Sequence, residues 1–111
     1  MTRLFSTMLV RTSPNPGPIE QSMAKKLQTL LPTFLSIDND SQKHAHHAGV
    51  RGASNVTESH FNIEIHSDNF KGKNLPLRHR MVYKLLEDEL KVKGVHALQL
   101  KTKTPEEIAK Q

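Results

Sequence analysis

His60-Phe61-Asn62-Ile63-Glu64-Ile65-His66 alternates polar and apolar side chains without a break. Successive side chains of an extended chain point to opposite faces, so Phe61, Ile63 and Ile65 turn one way and His60, Asn62, Glu64 and His66 the other. The segment reads as a half-buried strand with one face on a core. Its apolar face needs a covering layer, and the sequence offers helices on both sides of it.

Upstream, Pro18 suits the first turn of a helix that runs through Ile19, Met23, Leu27, Leu30 and Leu31 and stops at Pro32. Thr33 to Ile37 is a short β-prone run, and a long polar loop, 38–58, follows it. Downstream, a turn around Lys71-Gly72-Lys73-Asn74 leads into a helix expected over Leu75 to Lys91. Leu77, Met81, Val82, Leu85, Leu86 and Leu90 form its apolar face, with Arg80, Lys84, Glu87 and Asp88 opposite. The acids Glu87, Asp88 and Glu89 read as a solvated helix edge. Gly94 breaks this helix, Val95 to Lys101 reads as a third strand, and Thr104-Pro105-Glu106-Glu107 has the pattern of a capping box with Pro in the first turn.

The element order is therefore α-β-β-α-β-α, which predicts an α+β fold: a small three-stranded mixed sheet with helices on one face. The strand-helix-strand passage through the main helix favours parallel pairing of its two strands. At 111 residues the chain fits one domain. Residues 1–16 differ in character from the rest. They carry Arg3 and Arg11, several Ser and Thr, and no acid before Glu20, with Leu4, Phe5, Met8 and Leu9 at roughly helical spacing. That composition is read as a mitochondrial targeting segment or a disordered tail, with the folded domain spanning 17–111.

Sixteen Lys and Arg against eleven Asp and Glu give a net charge of +5, which permits an acidic or nucleic-acid partner without selecting one. No apolar run approaches the roughly 20 residues that span a bilayer, so no membrane role is expected. Enzyme signatures are missing: there is no cysteine nucleophile, Gly-x-Ser-x-Gly elbow, phosphate loop or His-Glu-x-x-His pair. The chain is read as a non-enzyme.

Seven histidines and no cysteine are the unusual feature, three of them in His44-Ala45-His46-His47. Imidazole is the commonest protein metal ligand, whereas iron-sulfur clusters are normally held by cysteine thiolates. This chain offers nitrogen ligands only, so any soft centre it holds must draw its sulfur from a partner. Each histidine also has a plainer reading. His79 falls on the apolar side of the main helix and reads as structural. His60 and His66 face away from the core and read as incidental. His96 shares strand phase with Leu98 and Leu100, and taken alone it reads as a core histidine.

Ser59-His60-Phe61, Phe70-Lys71-Gly72, Arg78-His79-Arg80-Met81-Val82-Tyr83, Val95-His96-Ala97-Leu98 and Thr104-Pro105-Glu106-Glu107 together resemble the BolA family, from about Ile19 to the end of the chain. The resemblance, which extends to the mitochondrial type 1 iron-sulfur assembly factors, implies a class II KH-like fold. It implies a monothiol glutaredoxin partner, a bridging 2Fe-2S cluster shared with that partner and with glutathione, and assistance to 4Fe-4S insertion into client proteins in the mitochondrial matrix. It also implies one cluster ligand from the loop after the first strand and a second from the Val-His-Ala-Leu strand. The second is His96. For the first, His44 and His47 rank above His46. Two histidines on one iron and thiolates on the other is an established arrangement.

Lys71, Lys73, Arg78 and Arg80 are expected to form a basic docking surface for the partner. Pairing of the partner-free chain with a second copy stays open. The alternative class is a KH-like nucleic-acid-binding or transcription-regulating protein, since Gly49-Val50-Arg51-Gly52 spells the KH clamp pattern. That tetrapeptide falls in a loop between strands rather than between helices, which weighs against it.

Overall fold

A computed structural model of the chain describes residues 9–41 and 57–111. Strand β3 (His60–His66) occupies the middle of the sheet, and its alternation is realised in burial: Phe61, Ile63 and Ile65 are buried while His60, Asn62, Glu64 and His66 are not. It pairs antiparallel with β2 (Phe34–Asn39), which places Leu35 beside Ile65 and Ile37 beside Ile63 on the same face. On its other side it pairs parallel with β4 (Ala97–Lys103), which sets Leu98, Leu100 and Thr102 beside Phe61, Ile63 and Ile65.

Helices cover that face. α1 (Pro18–Leu27) contributes Met23, Ala24 and Leu27, α2 (Leu75–Leu85) contributes Val82, and Phe70, Leu86 and Val95 complete a single cluster with the strand residues. Removing each Leu, Ile, Val, Met or Phe side chain from water stabilises the fold by roughly 1.5–3 kcal/mol, so this cluster is the dominant favourable term. The β3-α2-β4 crossover is parallel, as the order of elements predicts. Among the described residues no helix is long and apolar enough to cross a membrane.

The sheet has four strands rather than the three expected. β1 (Leu9–Arg11) lies at the edge and runs parallel to β2, with Leu9 beside Phe34 and Arg11 beside Ser36. All three of its residues are exposed, so no buried apolar rhythm marks the strand in the sequence. It is held by main-chain bonds to an edge that would otherwise present unpaired groups, including one from Leu9 N to Thr33 O at 3.1 Å. These residues fall within the stretch 1–16 read as a targeting segment or tail; residues 1–8 lie outside the described part.

The main helix also differs. It ends at Leu85, the backbone leaves helical geometry at Leu86 (φ −100°, ψ 18°), and a separate short helix, α3 (Glu87–Lys91), follows. With this offset Glu89 turns inward to full burial instead of lying on a solvated edge. It accepts hydrogen bonds from Ser22 Oγ and from Lys26 Nζ, the latter at 2.9 Å, both on α1. Burial pushes the Glu89 carboxyl up, but the bonds from Ser22 and Lys26 outweigh it and hold the group below the usual carboxylate range. At the end of the chain, α4 (Pro105–Ala109) starts with the expected capping box between Thr104 and Glu107.

Candidate functional site

The chain leaves the sheet after Asn39 and re-enters it at His60, and short polar side chains fasten the two ends of this connection together. Asn39 donates from Nδ2 to Thr57 O at 2.9 Å, and its Oδ1 accepts from Ser41 N at 2.9 Å. Ser41, fully buried, accepts at Oγ from Ser59 N at 2.8 Å and His60 N at 3.1 Å. The carbonyl of Ser59, also fully buried, accepts from His96 N at 2.7 Å and Ala97 N at 3.1 Å. One end of the sheet therefore gathers both loop roots, the start of β3 and the approach to β4. Buried main-chain groups require partners, and here two serines supply them where three chain segments converge.

His96 stands at this end. Strand β4 begins one residue later than it, and its side chain is exposed, so the core reading that its phase with Leu98 and Leu100 suggested does not apply. His60 pairs in register with Ala97, and the His60 and His96 rings lie 6.3 Å apart, centroid to centroid, at 49°. Asp40, His60, Phe61, Ala97 and Gln99 line a shallow depression beside them. Ser59 Oγ lies 2.8 Å from His60 Nδ1. His60, read from the sequence as incidental, is thus the nearest imidazole to His96 among the described residues. The signal that could have found it is the parallel pairing itself, which sets Ser59-His60 alongside His96-Ala97.

The other histidines are placed elsewhere or not described. His66 lies at the far end of β3, packed on Phe34 with ring centroids 4.7 Å apart and bonded to Glu64 at 2.7 Å. His79 is half-buried on α2. His44, His46 and His47 lie outside the described residues, as does Gly49-Val50-Arg51-Gly52. Among the described residues no group of three or more His, Asp or Glu side chains could hold a metal ion. What this end of the sheet offers is two neighbouring imidazole rings and no sulfur, and imidazole nitrogen is a donor that suits transition metals.

Of the four residues expected to form a basic docking surface, Arg78 has a different role. It is 7% exposed, and its guanidinium donates from Nη1 and Nη2 to Glu107 Oε1 and Oε2, both at 2.9 Å. It also donates to Lys73 O at 2.7 Å and Thr102 O at 3.0 Å and lies over the Phe70 ring. A planar fork with five donors suits this set of acceptors, and it ties α2 to β4 and α4. The Glu107 hydrogen bond raises the Arg78 pKa against the effect of burial. Arg78 and the Thr104 backbone together hold Glu107 down to about 2. Lys71 and Arg80 are exposed and Lys73 is half-buried, so the remaining basic surface is smaller than expected.

The model of the BolA-like protein family matches residues 27–107. Protein BOLA1, chloroplastic, from Arabidopsis thaliana is 46% identical over 101 residues, covering 87% of this chain and 62% of the relative. A Haemophilus influenzae protein named DNA-binding transcriptional regulator BolA is 44% identical over 89 residues, 80% of this chain and 76% of the relative. The solved BolA domain of SufE1 from Arabidopsis thaliana superposes with a TM-score of 0.72 at 41% identity, covering 84% of this chain and 99% of that domain. The chain spans less than two thirds of the length of the first curated plant relatives it matches. The α+β architecture, the matched span and these relatives agree: the chain belongs to the BolA family.

Proposed function

We propose that this protein binds a monothiol glutaredoxin, shares a bridging 2Fe-2S cluster with it as cargo, and assists delivery toward 4Fe-4S client proteins. His96 and one loop histidine, His44 or His47, ligate one iron. The glutaredoxin cysteine and glutathione supply the sulfur ligands. The observation that carries this reading is the exposed His96 beside the fastened roots of the loop. His44 follows Ser41 by three residues and His47 by six, so chain length allows reaches of about 10 and 20 Å from that root. The zero cysteine count makes the sulfur-bearing partner a chemical requirement.

The mitochondrial matrix is the proposed location. An acid-free, Arg-bearing N-terminus supports an organelle address, as does similarity to a protein named SufE-like protein 1, chloroplastic/mitochondrial. The role is one of binding and transfer rather than catalysis.

Mixing the protein with cluster-loaded glutaredoxin tests the reading by absorption and circular dichroism. A new mixed-complex spectrum that disappears with His96→Ala supports it. No spectral change and no comigration would remove it. The second reading is nucleic-acid binding, favoured by the names of bacterial relatives and the +5 charge. Retention on DNA that falls steeply with salt would support that alternative.

A further inference from the structure

We infer that His60 and His96 form a two-imidazole site for a divalent transition-metal ion of the Cu(II), Ni(II) or Zn(II) class, present in the chain without its loop histidines and without a partner. Three observations converge on it. The first is spacing. Two imidazoles that share an ion at adjacent coordination positions, at about 2 Å per metal-nitrogen bond, bring their ring centroids to roughly 4.5–5 Å. The observed 6.3 Å closes to that range when the exposed His96 ring swings toward His60 by roughly 1–2 Å, the reach of a rotamer change.

The second is orientation. A ligating histidine characteristically engages its other ring nitrogen with a fixed polar group, which sets the tautomer and steers the ring. Ser59 Oγ stands 2.8 Å from His60 Nδ1 and can accept its proton, so ligation goes through Nε2. Ser59 is itself fully buried and cannot follow the ring outward.

The third is preorganisation. The same serine holds the backbone of the second ligand, because its carbonyl accepts from both His96 N and Ala97 N. One buried residue thus sets the spacing of the two imidazole-bearing residues through a side-chain bond on one side and a main-chain bond on the other. Asp40 lines the adjoining depression and adds negative charge next to the site. Imidazole nitrogen suits copper, nickel and zinc better than it suits magnesium or calcium. Two protein ligands leave coordination positions for water or for a donor from another molecule.

The test uses the untagged full chain carrying His44→Ala, His46→Ala and His47→Ala, titrated with Cu(II) alone. The expected result is one stoichiometric site whose electron paramagnetic resonance spectrum shows two nitrogen ligands. His60→Gln and His96→Ala, each added to that background, should reduce the spectrum to one nitrogen and weaken binding by at least about tenfold. Ser59→Ala, which removes neither imidazole, should weaken it by about tenfold. Far-UV circular dichroism of each variant checks that the fold persists. Loss of stoichiometric binding when only the loop histidines are replaced would overturn the inference, as would an unchanged spectrum with His60→Gln in a folded protein. The assay contains neither glutaredoxin nor a cluster, so its failure leaves the cluster-sharing reading standing.

Discussion

Gly17 and Glu58 compete for one volume: a Cβ added at Gly17 would stand 2.5 Å from the Glu58 carboxyl carbon. Gly17 caps α1 without a side chain, and Glu58 takes over the capping from across the fold, accepting from Ile19 N at 3.3 Å and Glu20 N at 2.8 Å. A carboxylate there satisfies two main-chain donors that the helix cannot satisfy itself and complements the positive end of its dipole. Glu58 directly follows Thr57, so the cap also ties the returning root of the loop to α1.

Gly17→Ala is expected to lower stability by about 1–2 kcal/mol, the usual range for a lost helix cap, because the backbone at residue 17 (φ −76°, ψ 177°) suits any residue and the cost comes from displacing Glu58. Glu58→Ala should cost a similar amount. The double variant should be no less stable than Glu58→Ala alone, since the clash has gone. Urea titrations of the four proteins would expose the error if the two costs simply add.

Acid stability should depend on Glu107 and Glu89. Both carboxyls are held below their ordinary range in the folded state, Glu107 chiefly by Arg78 and Glu89 by Ser22 and Lys26 against the opposing effect of burial. A carboxylate with a depressed folded pKa binds fewer protons folded than unfolded above that pKa. Its stabilisation is therefore complete above the usual carboxylate range and is lost as pH falls through the folded value. For Glu107 the window runs from 4.5 down to about 2. Thermal midpoints of the parent protein should fall over that interval, and the Glu107→Gln variant should start lower near neutral pH and fall less. Equal slopes would show that the pair does not govern acid unfolding.

Arg78→Met should destabilise by about 2–4 kcal/mol, because Thr102 O and Lys73 O lose a donor and the Glu107 carboxylate loses its partner. Arg80→Met, on the exposed face of the same helix, should change stability by no more than about 0.5 kcal/mol. Equal effects of the two substitutions in denaturant titrations would return Arg78 to the surface role that its sequence neighbourhood suggests.

The parts of the fold visible in the sequence are those with local causes. The β3 alternation, the Thr104–Glu107 capping box and Pro18 in the first turn of α1 each follow from a few neighbouring residues, whereas α1 stops at Leu27, short of the expected Leu31. β1 has no such cause, because its three exposed residues are held by main-chain bonds to a strand more than twenty positions away. The burial of Arg78 is equally remote in origin: beyond the nearby Lys73 O, its acceptors lie on β4 and α4, and only the folded register brings them together. The candidate site divides in the same way. His96 is marked by its motif, whereas the place of His60 beside it depends on the pairing of β3 with β4.

The Ser41 hydroxyl should prove disproportionately important for its size. It accepts from two main-chain donors, Ser59 N and His60 N, at a point with no solvent to replace it. Ser41→Ala removes one oxygen and leaves both N–H groups buried without that acceptor, at a cost of about 1–3 kcal/mol for each donor left unsatisfied. The loss is local to the junction of β2 and β3, because the helix cluster on the apolar face of the sheet keeps its contacts. Hydrogen exchange at the amides of Ser59, His60 and His96 should therefore accelerate well beyond that at Ile63 and Ile65. Ser41→Thr, which retains the hydroxyl, should preserve most of the protection if the extra methyl is accommodated. A uniform acceleration across β3 in Ser41→Ala would mean that the serine supports the whole sheet rather than the end that carries His60 and His96.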